Sequence, residues 1–309
     1  MGFFFLVLSI FSSMLIFFCE SFFMIWFFIE LNIIRFICFI CLNQNNLKGE
    51  AFQYLLSQRI PSLIFLFFII NYLKLNFIFI NYFLILVIIM KLGAVPFQFW
   101  YFNILEKFSW DNIFILSTFQ KIIPLISLYM FVNFVSFFIY FNILVSILGA
   151  LSRKNLKFMI AYSSIFMLRW LFSLIKNLEI IFFFFIFYSI SIFVVIKIFL
   201  INRVNRFSEI LKLKFSSSNV LALVFGFIRI AGIPPFLGFL RKLISVIFLN
   251  NFFITLRVVL VTCSCFLTYL YCRIIFLTWG GYRASIFFLM NNESLPIFLI
   301  LISPVFFLF

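Results

Sequence analysis

Glu30, Lys91, Lys121 and Lys242 each stand inside a long apolar run. Their settings are Trp26-Phe27-Phe28-Ile29-Glu30-Leu31-Asn32, Ile89-Met90-Lys91-Leu92-Gly93, Thr118-Phe119-Gln120-Lys121-Ile122-Ile123-Pro124 and Gly238-Phe239-Leu240-Arg241-Lys242. A charge at the centre of a bilayer costs about 2.5–3.5 kcal/mol even on insertion scales, so a residue of this kind is a functional candidate by default. An unpaired carboxylate in low dielectric protonates, and an internal lysine is the partner that keeps it charged. Desolvation favours the neutral form of a lysine, and a nearby carboxylate favours the charged form. Moving the carboxylate therefore loads and unloads a proton. One glutamate and three internal lysines are the raw material of a proton relay.

Arg35, Arg169, Lys197 and Arg229 also lie in apolar runs. The plain alternative for a lysine is to snorkel to an interface. Lys197, near a helix end, fits that alternative well. Lys121 does not, because it sits near the middle of the 112–132 run with Thr118 and Gln120 beside it and Pro124 one turn on. Static ion pairing is the other plain reading of Glu30.

The elements that must position these groups are membrane helices. The 309 residues are 67% hydrophobic, 24% aromatic and 10% charged, with a mean hydropathy of +1.29. A soluble domain runs at about 45–50% apolar and about 25% charged. A single soluble core cannot hide that much apolar surface. Water-soluble enzymes, secreted disulfide scaffolds and disordered linkers are excluded. Apolar runs fall at 2–18, 21–42, 52–72, 75–99, 112–132, 134–150, 158–175, 180–201, 219–249, 252–273 and 294–309. At ~20 residues per span these are about eleven transmembrane helices. The 219–249 run contains Gly232-Ile233-Pro234-Pro235, and the 75–99 run contains Pro96. Proline removes a backbone donor, so both runs are predicted to break in mid-membrane. Broken helices survive there only when packed in protein or lining a wet cavity.

The connections are short, and their charges alternate. Even-numbered ones carry Lys48, then Lys107, then Arg153, Lys154 and Lys157, then Arg203, Arg206, Lys212 and Lys214, then Arg283. Odd-numbered ones carry little beyond Glu20, Lys74 and Lys176. Basic short loops lie inside, which puts the N-terminus inside and the C-terminus outside, and the connections 152–157 and 202–219 on one face. That bias also accounts for the net charge of +15 without invoking nucleic acid. Met1 to Phe18 lacks the polar cleavage region of a signal peptide. Cys38 and Cys41 form a CxxC in an apolar run, too poor a ligand set for zinc or an iron–sulfur cluster. The content of 57 Phe and no His is in keeping with a T-rich organelle genome. The expected fold is all-α and polytopic, a single transmembrane domain over 1–309 with two broken helices.

Lys91-Leu92-Gly93-Ala94-Val95-Pro96-Phe97-Gln98-Phe99-Trp100 resembles the KxGxxPFHxW motif of the antiporter-like subunits of respiratory complex I. Trp26 to Asn32, Glu50-Ala51 with Tyr54 to Gln58, Thr118 to Pro124, Ala161-Tyr162-Ser163-Ser164-Ile165 and Gly232 to Gly238 follow in the order and spacing of the NADH–ubiquinone oxidoreductase chain 2 family. The resemblance covers about residues 20–250, and it is the ordered set that is specific. The chain starts one helix before Glu30, as in animal members that lack three N-terminal helices of the bacterial subunit.

The resemblance implies an antiporter-like membrane-arm subunit in the mitochondrial inner membrane that pumps protons, with the redox reaction elsewhere. Glu30 and Lys91 would be an ion-pair switch, Lys121 the central relay and Lys242 the group toward the exit. NADH, FMN, iron–sulfur clusters and ubiquinone would belong to partner subunits, with no cofactor or metal in this chain. Other membrane-arm subunits, including neighbouring antiporter-like ones, and bilayer lipids with cardiolipin among them would be the partners. The chain departs from the family at Gln98 and Met167, where the family has His, and at Arg59, Arg169 and Arg229, where it has small or polar residues. Without imidazole, water, lysine, Tyr162 and Ser163 must bridge. A stand-alone cation/proton antiporter is the first alternative, disfavoured because no Asp pair for a hard cation lies within a span. A scaffold with static buried pairs is the second.

Overall fold

The computed structural model describes residues 2–16, 19, 21–43, 47–71, 77–130, 136–152, 155–206, 209, 217–234, 236–248 and 254–280. The predicted last span at 294–309, Arg283, Lys154 and Pro235 lie outside the described residues.

Helices account for almost all of the described chain. They are α1 (Gly2–Leu15), α2 (Phe22–Asn43), α3 (Lys48–Ile70), α4 (Phe77–Leu92), α5 (Phe99–Lys107), α6 (Trp110–Ser117), α7 (Phe119–Tyr129), α8 (Ser136–Ser152), α9 (Leu156–Ser173), α10 (Leu178–Asn202), α11 (Ser217–Ala231), α12 (Leu237–Phe248) and α13 (Ile254–Gly280). Among the described residues, five stretches are long and apolar enough to cross a membrane: Phe22–Asn43, Lys48–Ile70, Trp110–Tyr129, Leu178–Asn202 and Thr255–Phe276.

The predicted breaks are present. The 75–99 run becomes α4, a non-helical stretch at 93–98, and the start of α5. Gly93 adopts φ +63°, and a Cβ there would stand 3.0 Å from Tyr101 Cβ. Glycine is thus needed for both the backbone conformation and the close approach. The 219–249 run becomes α11, a turn opened by Gly232, and α12.

A third break was not foreseen in the sequence. The 112–132 run divides at Thr118, whose backbone has φ −117° and ψ −88°. Its hydroxyl donates to Phe114 O at 2.6 Å, and Lys121 N reaches Thr118 O at 2.9 Å. Local side-chain bonds of this kind compete with the helical ladder. Pro124 lies inside α7 instead of ending it.

Two compact units are present. One comprises Met1–Asn142 and Met167–Leu178, and the other Ile143–Phe166 and Glu179–Phe309. In the first, α2 packs on α1 and α3, α3 on α4 and α5, and α7 on α4 and α6. In the second, α11 packs on α12 and α13. The start of α9 meets the end of α10 through the Asn155–Arg206 bridge and a Leu156 N to Asn205 O bond of 3.0 Å. Asn155 and Leu156 therefore lie beside Asn205 and Arg206.

Candidate functional site

The interior of the first unit carries a run of polar side chains on α2, α3, α4 and α7. Glu30, Asn32, Gln58, Ser62, Lys91, Gln120 and Lys121 are all buried. Buried polar groups must be hydrogen-bonded to be tolerated, so the partners define the site.

Glu30 on α2 accepts a bond from Ser62 Oγ on α3. Trp26 Nε1, one turn before Glu30, donates to Ser62 O at 3.1 Å. Gln58, one turn before Ser62 on α3, faces the end of α4. Its Nε2 donates to Lys91 O at 3.2 Å, and Lys91 Nζ points back to Gln58 O at 3.5 Å. Helix α3 therefore carries a ladder of two contacts, Ser62 on the carboxylate and the Gln58 carbonyl facing the ammonium. Glu30 and Lys91 make no direct ion pair. Lys91 lies in the last turn of α4, where the carbonyl end of the helix favours a cation.

A second cluster centres on Gln120. Its Oε1 accepts from Asn32 Nδ2 at 2.9 Å and from Tyr54 OH at 3.1 Å. Asn32 stands two residues after Glu30 on α2, so the acid and this cluster share a helix. Gln120 Nε2 is buried without a protein partner, which suits a bound water. Lys121 follows directly. Only 3% of it is exposed, and its Nζ lies 4.6 Å from the centre of the Tyr101 ring on α5. An ammonium over an aromatic face is partly compensated for lost water. Trp100 Nε1 closes on Met90 O at 3.0 Å, and Asn142 Oδ1 accepts from Val95 N at 3.1 Å. These two bonds satisfy backbone groups left over by the break between α4 and α5.

Lys242 belongs to the other unit. Its Nζ donates to Ala231 O, the last carbonyl of α11. Arg241, its neighbour, donates to Arg229 O and Ile230 O.

A transmembrane family model described as NADH:quinone oxidoreductase/Mrp antiporter matches residues 19–268. The chain belongs to this family. NADH–ubiquinone oxidoreductase chain 2 of Anopheles gambiae is 32% identical over 251 residues, which cover 77% of this chain and 74% of that protein. The same-named protein of Artemia franciscana is 31% identical over 263 residues, 84% of each. Among solved structures, a chain of respiratory complex I from Thermus thermophilus with bound aureothin aligns with a TM-score of 0.69 at 15% identity. That alignment covers 83% of this chain and 65% of the other. A chain of the Mrp complex from Dietzia sp. aligns with a TM-score of 0.68 at 16% identity, over 84% of this chain and 56% of the other. The chain thus spans less than two thirds of these structural neighbours, which share its all-α antiporter-like fold.

The positions at which the resemblance implies a departure from the family motifs have distinct surroundings. Gln98 is buried at the head of α5, with its Oε1 lacking a protein partner. Met167 is packed in α9. Arg59 is exposed on α3, and Arg229 is exposed on α11. Arg169 is fully buried, with its guanidinium 5.4 Å from the Trp170 ring. Of the proposed bridging groups, Ser163 Oγ is turned back onto Ile160 O at 2.7 Å. Tyr162 is buried against Gly149.

Glu30, Lys91 and Lys121 thus fall in one unit, with polar partners between or beside them, and Lys242 in the other. Sequence reasoning did not single out Ser62, Asn32, Tyr101 or Arg241 as site residues. Ser62 had a signal, since it sits four residues from Gln58 on the same helical face. Arg241 had a plainer one, a further charge inside the 219–249 run, directly beside Lys242.

Proposed function

We propose that this chain is a proton-translocating membrane-arm subunit of mitochondrial respiratory complex I. It couples NADH-to-ubiquinone electron transfer in other subunits to proton movement across the inner membrane. The observation that carries the reading is the α3 ladder, in which Ser62 holds Glu30 and Gln58 holds Lys91. Membership of the family and the chain 2 relatives supports the assignment to complex I.

In this reading Glu30 and Lys91 are the charge pair. While the carboxylate is near, Lys91 keeps its proton. When the carboxylate moves away, the ammonium gives one proton to water and the amine keeps the electron pair. Lys121 is the central relay and Lys242 the group toward the exit. NADH, FMN, iron–sulfur clusters and ubiquinone belong to partner subunits, and this chain performs no redox step. Its partners are other membrane-arm subunits, neighbouring antiporter-like ones among them, and bilayer lipids including cardiolipin.

The test is Lys121→Met in the assembled complex. Lys121 lies about ten residues from each end of its 112–132 run and is buried in the first turn of α7, beside the break at Thr118. Methionine keeps the stem while deleting the charge, and replacing a buried charge by an apolar group is often neutral for stability. The variant should assemble normally on a native gel while protons moved per NADH oxidised fall. Lys176→Met, at an exposed position, is the control and leaves the ratio unchanged. An assembled Lys121→Met complex with a normal ratio would overturn the relay.

The likeness to the Mrp complex favours a second reading, cation/proton exchange by the chain alone. Purified chain in liposomes should then dissipate a sodium gradient against protons, whereas the complex I reading predicts no such exchange.

A further inference from the structure

The carbonyl end of α11 is held by two cations from α12, and they are not equivalent. A helix end leaves its last carbonyls without partners and carries partial negative charge. Arg241 Nη2 donates to Arg229 O at 3.2 Å and to Ile230 O at 3.1 Å. Lys242 Nζ takes the next carbonyl, Ala231 O. The break itself brings these groups together. Gly232 adopts φ +70°, and a Cβ on it would stand 2.9 Å from Lys242 Nζ.

Arg241 is gripped on its other side by α10. Its guanidinium lies 5.1 Å from the centre of the Phe184 ring and 5.9 Å from that of Tyr188. It is 4% exposed, and its Nε and Nη1 have no protein partner. The aromatic faces and carbonyls compensate the charge.

A guanidinium keeps its proton under all conditions met in a protein, whereas a lysine can lose one. Arg241 can therefore hold its two carbonyls throughout a turnover. Lys242 can hold Ala231 O only while its amine stays in place.

We propose that Arg241 is a positioning residue that fixes the end of α11, so that Lys242 can leave Ala231 O and discharge without the break coming apart. This rests on the reading of Lys242 as a proton-carrying group. In the step, Lys242 passes an N–H proton to water and retains the electron pair, while Arg241 exchanges nothing. The spare Nε and Nη1 donors, or a water, then serve the vacated carbonyl.

Hydrogen–deuterium exchange of the intact complex separates the two roles. The reporters are the Gly232 and Ile233 amides, which bond to Ile228 O at 2.9 and 3.4 Å. Lys242→Met should leave their exchange within about twofold of the unmodified chain, because Arg241 still holds the helix end. Arg241→Met should speed it about tenfold, the effect of losing charge-assisted bonds to two carbonyls. If that variant does not assemble, Arg241→Lys keeps the charge with fewer donors and should speed exchange about threefold. Unchanged exchange in an assembled Arg241 variant would overturn the proposal. So would opening by Lys242→Met that equals the Arg241 effect. A normal proton-to-electron ratio in Lys242→Met would remove Lys242 from the relay, while the exchange data would still judge the Arg241 clamp separately.

Discussion

Lys91 and Lys242 both sit at the carbonyl end of a helix interrupted inside an apolar run, but their electrostatic company is opposite. In the first unit, Lys91 ends α4 against Gln58 of α3, and Ser62 one turn on along α3 meets the Glu30 carboxylate. In the second, Lys242 caps α11 beside Arg241, a cation that cannot be neutralised. A lysine facing a carboxylate is controlled by that partner's position, since removing the carboxylate removes what keeps the ammonium charged. The other lysine is held by a helix-end carbonyl instead. The first site is thus suited to be switched by motion of α2 or α3. The second is suited to release whatever proton reaches it.

The largest test of this contrast is Glu30→Gln. The amide still accepts from Ser62, so packing is kept while the charge that acts on Lys91 is lost. An opposite charge nearby shifts the protonation balance of its partner by roughly tenfold or more. Proton pumping by the assembled complex should fall by at least about tenfold on that basis. Equal pumping with and without the Glu30 charge would mean that both sites work as the second one does.

Ser62→Ala gives a smaller effect of a different kind. It leaves a buried carboxylate without its hydroxyl donor, a penalty of about 1–3 kcal/mol. Serine is not needed for a scaffold of static charges, so its loss would there lower assembly alone. If the ladder is part of a switch, Ser62→Ala should also slow NADH-driven pumping several-fold in complex that has assembled. A pumping rate per assembled complex that does not change would reduce Ser62 to packing.

These tests concern residues of unequal legibility. The four charged residues could be read from the sequence because charge in an apolar run is costly whatever surrounds it. The breaks at 93–98 and 232–236 could be read because Pro96 and Pro234 stop a helix locally. Thr118 gave no such sign, since threonine is common inside helices and breaks one only through its own local bonds. The partners were harder still. Ser62 meets Glu30 across 32 residues of sequence, and Asn32 meets Gln120 across 88. No periodicity in one helix says which face of another will oppose it. Arg241 is visible in the sequence beside Lys242, but its role depends on Phe184 and Tyr188 of α10 facing its guanidinium.

The smallest expected effect is at the hub, and it asks whether the first unit has one switch or two. Tyr54 OH and Asn32 Nδ2 share Gln120 Oε1 at 3.1 and 2.9 Å. Tyr54→Phe deletes one of these bonds and leaves the ring against Phe36 and Trp100, whose centres lie 5.0 and 6.2 Å away. A net hydrogen bond is worth about 0.5–1.5 kcal/mol, and the acceptor left behind still has Asn32. The yield of assembled complex should therefore drop by no more than a small fraction. If Gln120 serves only to pin α2 and α3 to α7, the proton-to-electron ratio stays normal, because Lys121 keeps its place over Tyr101. If the hub instead controls the approach to Lys121, freeing Gln120 should let its amide turn and the ratio should fall while NADH oxidation persists. We expect the first result, since Asn32 alone fixes the orientation of the amide, and a fallen ratio would place a second control point beside Lys121.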